Sequence, residues 1–409
     1  MKSTNIIAVF SSLAVFSTLS GAEILDHSEG FKIGRRLTLR PRVSFAYTFD
    51  NNVDTSRSGE ETSYFSVNPG LNADFKGDRW RLSGDVYYNY RAITSGYSEQ
   101  LNNSTYGERL GFTWSNIDNG GPGWSLALSE SYVRVDQNDD MSDGGRGIWR
   151  DRQNFDSTFV VQRRFNQYLH ASVNGGYYWL DYANDSDSYA SLYGWSRWTA
   201  GVEIGCTLSR WSDLFIAGSY QGYEQDSGSQ ISNIGNTSDG YTIHAGIGSY
   251  MTERISYRVS GGVSTFNYGD ASTANGFTYQ GTLNWKIGET WQTKLLFSSY
   301  YHPSEREYGQ AVRCDSVSWG LSKSMVRNKL NLTFDVAYRS DTRDYSTGTS
   351  SSWDLNLLSA RLGVDYRINR IISMFANGEY QKEMNEGDNV QRHYDYDRLR
   401  FTVGAKFSY

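Results

Sequence analysis

Long hydrophobic runs are missing from this sequence after its first 22 residues, and its mean hydropathy is −0.59. A helical membrane protein needs about 20 consecutive apolar residues for each span, so the sequence excludes that class. It does not exclude a transmembrane β-barrel. In a barrel, alternate residues of every strand face water, so no continuous apolar run is required.

Basic clusters and paired metal ligands are also scarce. The formal net charge is −6 and no run of Lys or Arg stands out, which argues against nucleic-acid binding. The five histidines show no pair with metal-ligand spacing, and the segment from Asp136 to Asp140 has Met141 where a calcium loop needs glycine. We therefore expect no metal, no cofactor and no enzymatic activity.

The N-terminus carries the one apolar run. It begins with Met1-Lys2, continues through an apolar core over residues 6–19, and ends at Ser20-Gly21-Ala22. This is the pattern of a secretory signal peptide, and the core is shorter than a spanning helix. We expect residues 1–22 to be a signal peptide, residues 23–33 a short periplasmic segment, and residues 34–409 a single barrel.

From residue 34 onward, apolar residues alternate with polar ones in segments of about 10 to 14 residues, as in membrane strands. The first segment has Leu37, Leu39, Val43, Phe45 and Tyr47 in one phase. Aromatic residues recur at segment ends, where their amphipathic rings suit the membrane interface; examples are Trp80, Trp124, Trp291 and Trp353. A soluble core filled by aromatics is the alternative interpretation.

Connections between these segments alternate between short and long. Short turns fall near 76–79, 116–123, 164–167, 209–212, 252–254, 288–290, 326–328 and 368–370. Long polar loops fall near 50–62, 92–103, 136–149, 183–195, 224–239, 269–275, 302–310, 340–352 and 383–394. Short periplasmic turns and long external loops are typical of outer-membrane barrels. The pattern predicts an all-β, transmembrane antiparallel up-and-down barrel of eighteen strands.

The two cysteines fall in opposite phases of distant segments. Cys206 shares the lipid-facing phase with Val202 and Ile204, whereas Cys314 shares the lumen-facing phase with Ser316. We expect no disulfide between them.

The last segment ends Leu399, Phe401, Val403, Ala405, Phe407, Tyr409 in one phase. It resembles the C-terminal signal of outer-membrane barrels. We expect the barrel assembly machinery to recognise it, and this strand to close against the first one.

The phase opposite the apolar one should line the lumen, and it is rich in charge. Its basic residues are Arg40, Arg42, Arg81, Arg91, Arg109, Arg197, Arg258, Lys286, Lys294, Arg339, Arg361, Arg398, Arg400 and Lys406. Its acidic residues are Asp74, Asp85, Asp156, Glu203, Asp335, Asp365 and Glu379. Two interpretations are open. An excess of positive charge would favour anions. Alternatively the charges pair across strands, for example Arg81 or Arg91 with Asp85, and simply form a wet wall.

The first strand and its loop, residues 42–53, read Arg-Val-Ser-Phe-Ala-Tyr-Thr-Phe-Asp-Asn-Asn-Val. This segment resembles the opening of the putative beta-barrel porin type 2 family, although it reads Phe-Asp-Asn-Asn where the family has a Tyr-x-Asp-Asp-Asn-like element. The resemblance implies a channel in the bacterial outer membrane, surrounded by lipid and lipopolysaccharide. A passive porin for small hydrophilic solutes is the expected function. An exopolysaccharide-export barrel and a structural or adhesive barrel are the alternatives, and both a monomer and a homo-oligomer fit the sequence.

Overall fold

The computed structural model describes most of the chain from residue 30 onward. The described residues are 30–52, 61–96, 104–117, 121–136, 151–182, 194–209, 212–225, 237–249, 254–268, 272–303, 311–326, 328–343, 353–387 and 395–409. The expected signal peptide and the Asp136–Asp140 loop beyond its first residue lie outside them. Among these residues, no helix has the length and apolar character needed to cross a membrane.

Nineteen strands form one antiparallel sheet in the described part of the chain. They are β1 (Phe31–Ile33), β2 (Leu37–Asp50), β3 (Thr62–Lys76), β4 (Trp80–Gly96), β5 (Ser104–Ser115), β6 (Gly123–Asp136), β7 (Asp151–Arg164), β8 (Leu169–Tyr182), β9 (Trp195–Ser209), β10 (Ser212–Gln225), β11 (Thr237–Ser249), β12 (Ile255–Tyr268), β13 (Ser272–Ile287), β14 (Trp291–Pro303), β15 (Ala311–Met325), β16 (Leu330–Arg343), β17 (Trp353–Arg367), β18 (Ile372–Gly387) and β19 (Tyr396–Ser408).

The sheet closes on itself. Strands β2 to β19 pair in chain order, and β19 then pairs with β2, with Arg400 opposite Asp50 and Ser408 opposite Arg42. Closure leaves every barrel strand with two neighbours, which removes the free edges that would invite aggregation. The predicted eighteen-strand antiparallel barrel is therefore confirmed.

Two faces alternate along every strand, as the period-2 pattern predicts. On β11, Tyr241 and Ile243 are exposed on the outer surface, whereas Thr242 and His244, which alternate with them, face the interior. Residues directly opposite each other in the ladder share a face, so this division runs around the whole barrel. The outward phase is apolar and the inward phase mainly polar.

The barrel seam has a feature that was not predicted. The expected N-terminal segment, residues 23–33, includes a short strand, because β1 pairs with Leu37–Leu39 at the start of β2. Strand β19 pairs with β2 only from Arg42 to Asp50, and β1 pairs with the earlier residues of β2, Leu37–Leu39. The Phe31 ring stacks on Tyr409, with centroids 4.2 Å apart. Strands β1 and β19 together cover one edge of β2.

The short connections share local devices that make tight turns. In two of them an asparagine side chain accepts backbone N–H groups: Asn166 from Tyr168 and Leu169, and Asn369 from Ile371 and Ile372. We call this end of the barrel the short-turn end and the opposite end the long-loop end. Several long loops are shorter than predicted, because the strands extend into them: residues 92–96 belong to β4, 272–275 to β13, 340–343 to β16 and 383–387 to β18.

Candidate functional site

The inner wall is the candidate site, because it holds the ionisable residues that the sequence singled out. The pairing register puts all of the predicted basic and acidic residues in the phase opposite the exposed apolar side chains. Four further carboxylates share that phase, Asp50, Asp213, Asp341 and Glu383, and so do three further cations, Lys76, Arg164 and Arg367. Among the described side chains the inner wall therefore has seventeen basic and eleven acidic residues, an excess close to the predicted fourteen against seven.

One ion pair on the wall reaches across an intervening strand. Arg42 on β2 passes over β3 to Asp85 on β4; its Nη2 donates to Oδ2 at 2.8 Å and its Nη1 lies 2.8 Å from Oδ1. The passage crosses Gly70, where an added Cβ would lie 2.9 Å from Arg42 Nε. A side chain at this position would block the guanidinium. Gly70 therefore has a specific role: the absence of a side chain there leaves room for Arg42 to cross β3.

A longer crossing joins β12 to β9. Arg258 donates from Nη2 to Glu203 Oε2, and its guanidinium lies 3.6 Å from the centre of the Phe215 ring on β10. On β11, between them, the inward position opposite Arg258 is Gly248. The cation is thus held by a carboxylate and by an aromatic face.

A third group of charges lies near the closing seam. Glu379 on β18 accepts hydrogen bonds from Arg361 on β17 at 2.8 Å and from Arg400 on β19 at 3.0 Å. Beside it, Arg398 Nε donates to Asp50 Oδ2 at 2.9 Å across β19 and β2. The Arg398 and Asp50 side chains are only 3% and 1% exposed. The seam is therefore closed by a buried ion pair as well as by backbone hydrogen bonds.

The examples of pairing that the sequence suggested for Asp85 are wrong. Arg81 bonds Asp74 at 2.7 Å instead, and Arg91 lies over the Tyr64 ring at 5.5 Å. Arg81 and Asp85 stand on the same strand four residues apart, whereas Asp74 lies on the adjacent strand, one step along the ladder from Arg81. The general expectation that opposite charges pair across strands holds for the groups described above.

Uncharged polar groups form a second network on β11, β12 and β13. His244 Nε2 lies 2.8 Å from Thr278 Oγ1, and its Nδ1 lies 3.4 Å from Ser260 Oγ. Ser264 bridges Thr278 and Thr242 at 2.8 Å each. Within the described contacts His244 meets hydroxyl groups only, so this set satisfies buried hydrogen-bonding groups. By these contacts, His244 is an ordinary residue of the inner wall.

An aromatic cluster, which the sequence reading missed, covers the inner wall near the long-loop end. Tyr178, Trp195, Tyr223 and Phe266 lie ring to ring on β8, β9, β10 and β12, with centroid distances of 4.8, 5.7 and 5.4 Å. Gly240 on β11 leaves room for the last contact, since an added Cβ would lie 3.0 Å from Phe266. The available signal was large aromatic residues in the polar phase at strand ends. On this side, the wall is polar at mid-height and apolar near the long-loop end.

The two cysteines lie as predicted. Cys206 on β9 is exposed in the outward phase, Cys314 on β15 is buried in the inward phase, and both are free thiols. Among the described residues, no group of three or more His, Cys, Asp or Glu side chains is arranged to hold a metal ion.

Residues 213–409 match the family model described as Putative beta-barrel porin 2. The resemblance to this porin family is confirmed. The match starts in β10, so it covers a different part of the chain from the first-strand segment in which the resemblance was recognised. No curated protein matches the chain.

Solved structures of outer-membrane barrels also resemble the chain. The outer membrane protein OpdK from Pseudomonas aeruginosa is 12% identical, covers 91% of this chain and 99% of its own, and gives a TM-score of 0.44. The siderophore receptor PirA from the same organism is 8% identical, with coverages of 91% and 80% and a TM-score of 0.42. The FrpB iron transporter from Neisseria meningitidis is 9% identical, with coverages of 92% and 82% and a TM-score of 0.43. Proteins of different kinds thus match at similar scores, and none assigns a substrate to this chain.

Proposed function

We propose that this chain is a channel of the bacterial outer membrane, which lets small hydrophilic solutes diffuse passively through a polar, mildly cationic lumen. The observation that carries the proposal is the division of the closed wall into an apolar outer face and a polar, charged inner face. Barrels of 16 to 18 strands are wide enough to leave an aqueous channel. The match to a porin family agrees with this function.

The environment follows from the same division. The outward apolar band would contact membrane lipid and lipopolysaccharide, and the short-turn end would face the periplasm, as in other bacterial barrels. Strand β19, ending near Tyr409, would be the segment that the barrel assembly machinery recognises. Nothing in this arrangement requires a cofactor, and we propose no catalytic role.

The mild cationic character follows from how the charges are distributed. Arg42, Arg258 and Arg361 each have a carboxylate partner, so much of the mid-height wall is electrically compensated. The remaining basic residues outnumber the remaining acids, which leaves a modest preference for anions. Small neutral and anionic solutes are the expected cargo.

The test is conductance in a planar lipid bilayer. The purified, refolded chain is expected to give stable, step-like current increases in KCl, and liposomes containing it are expected to swell in small sugars. A folded preparation that inserts into lipid but gives no ion current and no swelling would contradict the proposal. A cysteine-free variant, with Cys206 and Cys314 replaced by serine, serves as a control that the current does not depend on thiol chemistry.

A further inference from the structure

The inward side chains at the short-turn end form a layer with an unusual charge balance. Each barrel strand contributes one residue to this layer. Of the two residues that end the strand at the short-turn end, it is the one whose side chain faces inward. Five of these residues are basic, and we call them the basic mouth layer: Lys76, Arg81, Arg164, Lys286 and Arg367. The layer contains one acid, Asp213 on β10. The other positions are neutral: Thr38, Ser115, Gly123, His170, Ser209, Gly248, Ser256, Gln292, Ser324, Asn331, Ser373 and Ser408.

The contacts of these basic residues leave most of their charge uncompensated. Lys76 and Arg81 share a single carboxylate, Asp74, at 3.2 and 2.7 Å. Arg164 donates to the backbone carbonyls of its own turn at 3.0 and 3.3 Å, and Arg367 does so at 3.1 Å. Carbonyl groups orient a guanidinium but do not neutralise it. Counting Asp74 with Asp213, five positive charges face two negative ones, which leaves three.

The mid-height wall differs from this layer. Above the mouth layer, the described inward side chains include twelve basic and ten acidic residues, Asp74 among them, so the charges nearly balance. Arg42 meets Asp85, for example, and Arg258 meets Glu203. The unbalanced charge is therefore concentrated at one mouth of the barrel, and the lumen as a whole does not carry it evenly.

The outward residues of the same strand ends have a different character. They include Trp80, Trp114, Trp124 and Trp291, whose amphipathic rings suit the level of the lipid headgroups. Two basic residues also point outward near this level and stack on those rings: Arg163 lies over Trp124 at 4.8 Å, and Lys323 over Trp291 at 4.2 Å. Outward cations at this end thus sit against the aromatic girdle, while the basic mouth layer faces the pore axis.

We propose that the basic mouth layer selects anions at the periplasmic mouth, attracting solutes that carry carboxylate or phosphate groups. This inference rests on the proposed channel function and locates its selectivity in five named side chains. A ring of like charge at a pore mouth raises the local concentration of counter-ions. The Debye length is about 10 Å at 0.1 M salt and about 3 Å at 1 M, so the preference must weaken as salt rises.

The experiment measures reversal potentials across a KCl gradient for the whole chain in a planar bilayer. The test variants are Lys286→Gln, Arg164→Gln and the double variant. The controls are Arg163→Gln and Lys323→Gln, which remove the same charge from the outer face at the same end. Arg163 and Arg164 are adjacent in sequence and point to opposite faces, so this pair compares the loss of one charge from each face at the same height.

The wild-type channel is expected to prefer chloride over potassium, more strongly at 0.1 M than at 1 M salt. At 0.1 M salt each inward substitution is expected to lower the permeability ratio about twofold, because a charge about 10 Å away acts in opposite directions on chloride and potassium and is screened to about a third of its strength. The outward controls are expected to leave it unchanged. Equal effects of Arg163→Gln and Arg164→Gln, or a wild-type preference that does not depend on salt, would overturn the inference. The salt series on the wild-type protein needs no substitution, so it tests the inference even if a variant does not fold.

Failure of this inference is distinguishable from failure of the proposed function. Conductance without anion preference would contradict the selectivity of the mouth layer but would still support the proposed channel. Absence of any conductance by folded, inserted protein removes the channel itself, and the selectivity with it.

Discussion

The buried ion pair at the closing seam should contribute strongly to stability. Replacing Asp50 with alanine leaves the Arg398 guanidinium, which is 3% exposed, without its carboxylate. The substitution also removes the acceptor for the Asn52 backbone N–H at 3.2 Å. Both losses fall between β19 and β2, where the barrel closes.

The magnitude follows from burial. Removing one partner of a buried ion pair costs about 3–5 kcal/mol, because the other charge stays buried and loses the carboxylate that compensated it. The control is Asp315→Ala, which removes the pair with Arg313 and the hydrogen bond from Tyr279 on the outer face. The Asp315 and Arg313 side chains are 30% and 34% exposed, and such a pair contributes at most about 1 kcal/mol. Asp50→Ala should therefore lower the free energy of unfolding more than Asp315→Ala.

The assay is urea unfolding of the chain in phospholipid vesicles, followed by tryptophan fluorescence and by the mobility of unheated samples in SDS gels. The double variant Asp50→Ala/Arg398→Ala removes the stranded charge and should recover part of the loss. Equal unfolding free energies for Asp50→Ala and Asp315→Ala would refute the reasoning. So would a double variant as unstable as the sum of the two single ones.

Three further predictions follow from the wall. Gly70→Leu should displace the Arg42 side chain and lower the unfolding free energy by about 1–3 kcal/mol in the same urea assay, the worth of charged hydrogen bonds; unchanged stability would contradict the role given to this glycine. A lipid-soluble maleimide should label Cys206 in intact proteoliposomes and leave Cys314 unmodified, as read by mass spectrometry; labelling of both at equal rates would contradict their assigned faces. His244→Leu should cost about 1–3 kcal/mol, since it leaves buried hydroxyl groups without their partner, whereas a stabilised variant would show that the hydroxyl network is dispensable.

The strands were predictable from the sequence because barrel strands carry a period-2 pattern that each segment shows by itself. The apolar phase of β2, from Leu37 to Phe49, lies outward as the alternation requires. Turn residues such as Asn166 and Asn369 mark the short connections locally. These features need no knowledge of the neighbouring strand.

Partnerships around the wall were not predictable, because they depend on register and on an empty position on the strand that lies between the two partners. Nothing in the sequence near Asp85 indicates that its partner is Arg42, since the contact exists only where Gly70 leaves a gap. The short strand β1 was missed for a similar reason. Three residues carry too little pattern, and they pair only because β19 stops at Arg42.

The most direct test of the account is the alternation of water and lipid contact along the barrel wall. Single cysteines would be placed on the neighbouring strands β4 and β5, at inward Ser83 and Thr113 and at outward Leu82 and Phe112, with both native cysteines replaced by serine. In proteoliposomes, a charged, water-soluble thiol reagent should modify the two inward positions at least ten times faster than the outward ones, and a lipid-soluble reagent should show the reverse order. Equal rates at all four positions, or faster modification of Leu82→Cys and Phe112→Cys by the charged reagent, would contradict a water-filled barrel embedded in lipid.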